Sequence, residues 1–151
     1  MLKPGSAAPD FSLPDQTGTE RSLEDLLKPG PLVLYFYPAD FTPVCTAEAC
    51  MYRDHHADLA RAGLSIAGVS AQSVQSHEKF GDKHSLPFAL LADPGKKVIR
   101  AYGATSFGGL LPRRVTYLIN QDKSIADAVT ADLTLGKHRK FIDRAIASAA
   151  R

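Results

Sequence analysis

At 151 residues, 44% of them hydrophobic, with 18 Lys plus Arg against 16 Asp plus Glu, the chain has the size and apolar content of one ordinary domain, 1–151, with a core that needs no staples. A formal charge of +2 is too slight to build an electrostatic surface for nucleic acid or membrane. No apolar run approaches the roughly 18 residues of a membrane helix, and the start lacks a signal-peptide core, so a soluble cytoplasmic protein is expected.

The N-terminal segment GSAAPD is loop-like, and the short apolar run FSL meets a turn over Pro14 to Gly18, which predicts a hairpin returning over Glu20 to Leu23. Pro31 to Tyr37 is a continuous apolar and aromatic run of strand length, the pattern of a strand buried on both faces. Residues 43 to 61 contain good helix formers and no glycine, and Gly63 follows as a stop signal. Leu64 to Ser70 reads as a second buried strand. A helix from Ser73 to about Lys83, a strand around Phe88 to Leu91 and a short helix between Pro94 and Gly103 come next. The aperiodic, glycine-rich GATSFGGLLPRR is a loop, Val115 to Asn120 and Ser124 to Val129 form a hairpin around Gln121-Asp122-Lys123, and a helix runs from Leu133 to Ala150. Strands alternating with helices and closing on a hairpin predict an α/β architecture with a mixed sheet. The KHRK cluster at 137 to 140 reads as the exposed face of the last helix.

The two cysteines sit in CTAEAC, Cys45 to Cys50, at the start of the long helix. Two sulfurs are too few for a disulfide framework, which points to chemistry in a reducing compartment. Unpaired N–H groups and the positive end of the helix macrodipole favour an anion near Cys45, so a thiolate nucleophile suits that position. Thr42, three residues earlier, fits an N-cap and a pocket hydroxyl equally well. In an intact helix, α-carbons five residues apart are separated by roughly 8.7 Å and point some 140° apart. A disulfide needs them within about 7 Å with converging side chains. Cys50 is therefore either a small core residue or a partner that Cys45 meets only after the first turns unwind.

Pro38, Thr42 and Cys45 together form Pro-x-x-x-Thr-x-x-Cys with Glu48 three residues on, and this segment resembles the active-site signature of the peroxiredoxins. Cys50 adds a likeness to the subgroup called bacterioferritin comigratory protein or Q-type peroxiredoxin. Ala8 to Asp15 is similar to that subgroup's N-terminal hairpin, and Arg114-Val-Thr116-Tyr117-Leu-Ile119 to its arginine-bearing strand.

The resemblance implies a thioredoxin-like fold and a thiol peroxidase acting on hydrogen peroxide and small organic hydroperoxides. By the same likeness Cys45 is the peroxidatic cysteine, Cys50 the resolving one, thioredoxin or a similar dithiol protein the reductant, and no cofactor is needed; a monomer or weak homodimer is expected. Charge builds on the departing oxygen during thiolate attack, and the Cys45 amide, the Thr42 hydroxyl and Arg114 are placed to meet it. Glu48 would orient Arg114 through a charge-assisted pair, and Pro38 would shield the pocket from water. Arg114 is preferred to Arg113 because it stands two before Thr116-Tyr117. Val44 replaces the glycine usual in the subgroup, and the loop from Gly103 to Arg113 is short and lacks its tryptophan.

Two rivals fit less well. A metal module using Cys45, Cys50, His55 and His56 has no usual zinc spacing, and a disulfide reductase would want Cys-x-x-Cys. His55 and His56 read as solvated helix residues, and no acid or cysteine partner is indicated for His77, His84 or His138.

Overall fold

The computed structural model describes residues 1–105, 113–130 and 135–149. An antiparallel hairpin of β1 (Ser12–Pro14) and β2 (Glu20–Ser22) runs into α1 (Leu23–Leu27), followed by β3 (Leu32–Phe36), α2 (Pro43–Arg61), β4 (Ser65–Ser70) and α3 (Val74–His84). The chain continues through β5 (Ala89–Ala92), α4 (Lys97–Ala101), β6 (Val115–Ile119), β7 (Ile125–Thr130) and α5 (Gly136–Ala149).

Strands β3 to β7 form one mixed sheet in the order β5-β4-β3-β6-β7, with β3, β4 and β5 parallel and β6 antiparallel to both β3 and β7. The parallel half forces crossovers, and these carry α2 and α3. Every residue of β3 is buried, as its unbroken apolar run predicts. Successive side chains divide between two cores at the strand period of two. Leu32, Leu34 and Phe36 pack with the hairpin, α1 and α4, whereas Val33, Tyr35 and Tyr37 pack with α2, α3 and α5. Cys45 lies in the second of these cores.

The structure departs from the expected elements at two places. Leu23 opens a helix rather than ending a strand, because the Ser22 hydroxyl accepts the Asp25 N–H at 3.1 Å and caps a turn whose acids, Glu24 and Asp25, suit a helix N-terminus. The KHRK cluster is not wholly exposed, since His138 is fully buried. Residues 106–112 of the glycine-rich loop, and the expected ends of the last helix at Leu133 and Ala150, lie outside the described residues.

One close approach lies between β4 and β3. Gly68 of β4 faces Tyr35 of β3, and a Cβ there would lie 2.7 Å from Tyr35 Cζ. The Tyr35 ring has little room to withdraw, being flanked by Tyr37, Tyr52 and Phe88 at centroid distances of 5.3, 4.5 and 5.9 Å. Gly68→Ala is expected to destabilise the protein by about 1–3 kcal/mol through overpacking, read as a lowered Tm, whereas an unchanged Tm would mean the aromatic cluster yields freely.

Candidate active site

The site forms where β3 ends and α2 begins. Between them the chain crosses residues 38–42, and this crossing is pinned by a buried carboxylate. Asp40 Oδ1 accepts from the Tyr37 hydroxyl at 2.7 Å, and its Oδ2 meets the Ser76 hydroxyl and His77 Nδ1, each at 2.7 Å. His77 Nε2 in turn lies 3.0 Å from the Leu91 carbonyl. Burial raises the Asp40 pKa, but the His77, Tyr37 and Ser76 donors outweigh it and hold the carboxyl below its ordinary value. His77 thus has an acid partner after all, one 37 residues away in sequence and so invisible to local reading.

Beyond Asp40, Phe41 takes a left-handed backbone with φ of 65° and leaves its ring 46% exposed, edge-on to Phe80. Thr42 is the N-cap by its backbone, with its carbonyl accepting the Thr46 N–H at 2.8 Å. Its side chain does not cap. The hydroxyl donates instead to the Ala39 carbonyl at 3.3 Å, which corrects the side-chain capping alternative. Pro43 occupies the first helical turn, where its missing N–H and fixed φ are no loss. Cys45 follows within that turn, 1% exposed, where its own N–H lacks an intrahelical acceptor.

Arg114, just before β6, is buried and forks across two elements of the site. One terminal nitrogen donates to Glu48 Oε1 at 2.6 Å and the other to Cys45 Sγ at 3.2 Å. Cys45 and Glu48 are three residues apart on α2, hence on one face, which is the geometry a single planar guanidinium can span. The choice of Arg114 over Arg113 agrees with this fork. Pro38 is exposed at the end of β3, a rim position rather than a buried one.

Glu48 is fully buried, and burial pushes its pKa up to about 7, with Arg114 acting to bring it down. Its Oε2 makes no hydrogen bond among the described residues but faces His138 Nδ1 of α5 at 3.6 Å, an ion-pair distance. His138 Nδ1 is 3.0 Å from Thr116 Oγ1, which is 2.8 Å from the Tyr52 hydroxyl. A polar chain therefore runs Cys45, Arg114, Glu48, His138, Thr116, Tyr52 through an otherwise apolar core.

The sequence reading missed the last three, and it assigned His138 no acid partner; the structure corrects that. Usable signals existed. His138, Phe141, Ile142 and Ala145 fall at helical spacing on one buried stripe of α5, Tyr52 is one turn beyond Glu48, and Thr116 shares a strand face with Arg114.

Cys50 is half-buried on the same unbroken helix, and both thiols are free. Among the described residues no cluster of three His, Cys, Asp or Glu side chains is arranged to hold a metal ion, and no helix is long and apolar enough to cross a membrane. His55 turns Nδ1 to the Met51 carbonyl of its own helix at 2.9 Å.

The Glu48 shift fixes a sign for stability. A carboxyl whose pKa rises on folding, here from 4.5 to about 7, favours the folded state in its protonated form, and that contribution is lost as pH climbs through this interval. Unfolding free energies measured across that window should decline with rising pH more steeply for the wild type than for Glu48→Gln; parallel curves would contradict the assignment.

The AhpC/TSA family matches residues 4–128. Peroxiredoxin Q of the plant Sedum lineare, a chloroplastic protein, is 44% identical over 119 residues, covering 78% of this chain and 63% of its own. Among solved structures, the peroxidoxin BcpB of Mycobacterium tuberculosis superposes with a TM-score of 0.89 at 35% identity, covering 99% of this chain and 97% of its own. The bacterioferritin comigratory protein of Xanthomonas campestris, solved as intermediate and ligand complexes bearing on its alkyl peroxide reduction, gives a TM-score of 0.85 at 27% identity, covering 100% of this chain and 99% of its own.

Proposed function

We propose that this chain, which belongs to the AhpC/TSA family of peroxiredoxins, is a two-cysteine peroxidase of the Q type that reduces hydrogen peroxide and small organic hydroperoxides at Cys45 and is recycled by thioredoxin or a similar dithiol. The observation that carries this reading is the Arg114 fork, which reaches Cys45 Sγ while anchored on buried Glu48. The alkyl peroxide reduction of the Xanthomonas campestris relative supports the substrate class. A chain with only two cysteines has no structural disulfide framework, which suits a reducing compartment such as the cytoplasm.

The Cys45 thiolate attacks one peroxide oxygen, the O–O bond breaks, and the departing alkoxide or hydroxide takes up a proton, leaving a sulfenic acid and one molecule of alcohol or water. Arg114 and the Cys45 N–H donate toward the oxygens as charge develops. Thr42 has its own proton engaged by Ala39 O, so its oxygen acts as an acceptor for the peroxide O–H and thereby orients it. Pro38 and Phe41 form the rim. The sulfenic acid then condenses with the Cys50 thiol, releasing water and forming a disulfide, and a dithiol reductant exchanges with that bond to restore both thiols. Since Cys45 and Cys50 are five positions apart on one helix, this second step requires the first turns of α2 to open.

Intact mass after one equivalent of hydrogen peroxide distinguishes the steps. The wild type is expected to lose two hydrogens and to resist thiol labelling at both cysteines. Cys50→Ser is expected to react once at an undiminished rate, gain one oxygen, over-oxidise readily and lose turnover with thioredoxin. A wild-type protein whose Cys50 stays open to a thiol label after brief oxidation, with no internal bridge in peptide maps, would defeat the mechanism.

A further inference from the structure

The peroxidatic centre proposed above has a charge problem that Cys45, Glu48 and Arg114 do not solve among themselves. Cys45, Glu48 and Arg114 are 1%, 0% and 2% exposed. With the sulfur ionised for attack, two anions share one guanidinium in a space that excludes water. Net buried charge of this kind is costly unless another charge or a proton offsets it. Among the described residues, the groups that face Glu48 are Arg114 ahead of β6, Cys45 and Tyr52 on α2 itself, Tyr35 from β3 and His138 from α5. Both phenols are strongly held in the protonated form by burial, with the Glu48 charge adding to the effect, so neither offers a positive charge. His138 can. Its Nδ1 stands 3.6 Å from Glu48 Oε2, the oxygen turned away from Arg114, and Thr116 Oγ1 at 3.0 Å, itself 2.8 Å from the Tyr52 hydroxyl, sets the plane of the ring.

We propose that His138 is a positioning residue of the peroxidatic centre: with Glu48 Oε2 it carries the one proton that lets the Cys45 thiolate, Arg114 and Glu48 coexist, and so keeps the guanidinium fork on the sulfur. The proton resides on the carboxyl beside a neutral imidazole or on the imidazole beside a carboxylate; the total charge of the cluster is zero in both arrangements. Without the imidazole the proton has Glu48 alone to hold it. Once it leaves, the carboxylate competes with the sulfur for Arg114 and the fork loosens. This inference rests on the thiol peroxidase reading.

The test is a single-turnover, stopped-flow measurement of pre-reduced full-length protein with hydrogen peroxide, at a series of pH values between about 5 and 8, the range in which imidazole changes charge. His138→Asn keeps an N–H near the Nδ1 position but cannot ionise, and His138→Leu keeps bulk without a donor. The rate of His138→Asn relative to wild type should be near one at the acid end, where Glu48 holds the proton, and should fall roughly tenfold as pH rises, a smaller loss than the hundredfold or more typical of a direct oxyanion donor. His138→Leu should lose rate with rising pH at least as steeply, with re-reduction of its oxidised form by dithiothreitol unaffected. A purely structural histidine would give a ratio that does not change with pH, and that outcome, or a wild-type rate in His138→Leu at the alkaline end, overturns the proposal. If His138→Leu does not fold, the pH dependence of the His138→Asn ratio decides alone. A wild-type protein inert toward peroxide would remove the parent reading, whereas a reactive wild type with a flat ratio removes only the role of His138.

Discussion

A guanidinium with almost no access to water holds the site together. Arg114 contacts a carboxylate and a sulfur at once, and removing one partner of such a buried pair typically costs about 3–5 kcal/mol because the other charge is stranded. The sheet order makes the contact possible. β6 runs antiparallel to β3 with Val115 opposite Phe36, so the start of β6 lies beside the end of β3. The chain leaves β3 at that point to begin α2, and Arg114, the residue before Val115, therefore stands over the first turn of the helix. Arg114 and the start of α2, 66 to 69 residues apart, converge because two strands are neighbours. The fold is thioredoxin-like, as the solved peroxiredoxin relatives are.

The same helix that supplies Cys45 and Glu48 keeps Cys50 out of reach. A 19-residue helix anchored by Tyr52 and Leu59 in the core has no reason to break in its middle, so any opening belongs to its first turns. Those turns lack the support that the rest enjoys: Thr42 gives no side-chain cap, and no acidic residue occupies the first turn. Weakness at the N-terminus is thus written into the same residues that present the nucleophile. Val44, in place of the glycine expected from the resemblance, works the other way by limiting backbone freedom next to Cys45.

Much of this was legible in the chain. The unbroken apolar run of β3 and the glycine-free stretch of α2 are local signals, and the structure places both elements where those signals do. Cys45, Glu48 and Arg114 were expected together through the family likeness, and the structure brings them within bonding distance. Helix α1 escaped notice because five residues give no periodicity, only a cap at Ser22. His138 and His77 were misjudged for a different reason. Each is a polar residue buried by a partner on another element, and such pairings are settled by tertiary packing, to which residue spacing along one helix gives only a hint.

The Asp40 clamp sets the length of a tether. Tyr37, Ser76 and His77 fasten the backbone just upstream of the catalytic turn to α3, and none of these bonds belongs to α2. When the first turn loosens, only the residues after Asp40 are paid out, and five residues extend at most about 17 Å. The sulfur therefore swings on a short leash over its own helix, searching a small volume that contains its partner thiol, while the rest of the domain stays still.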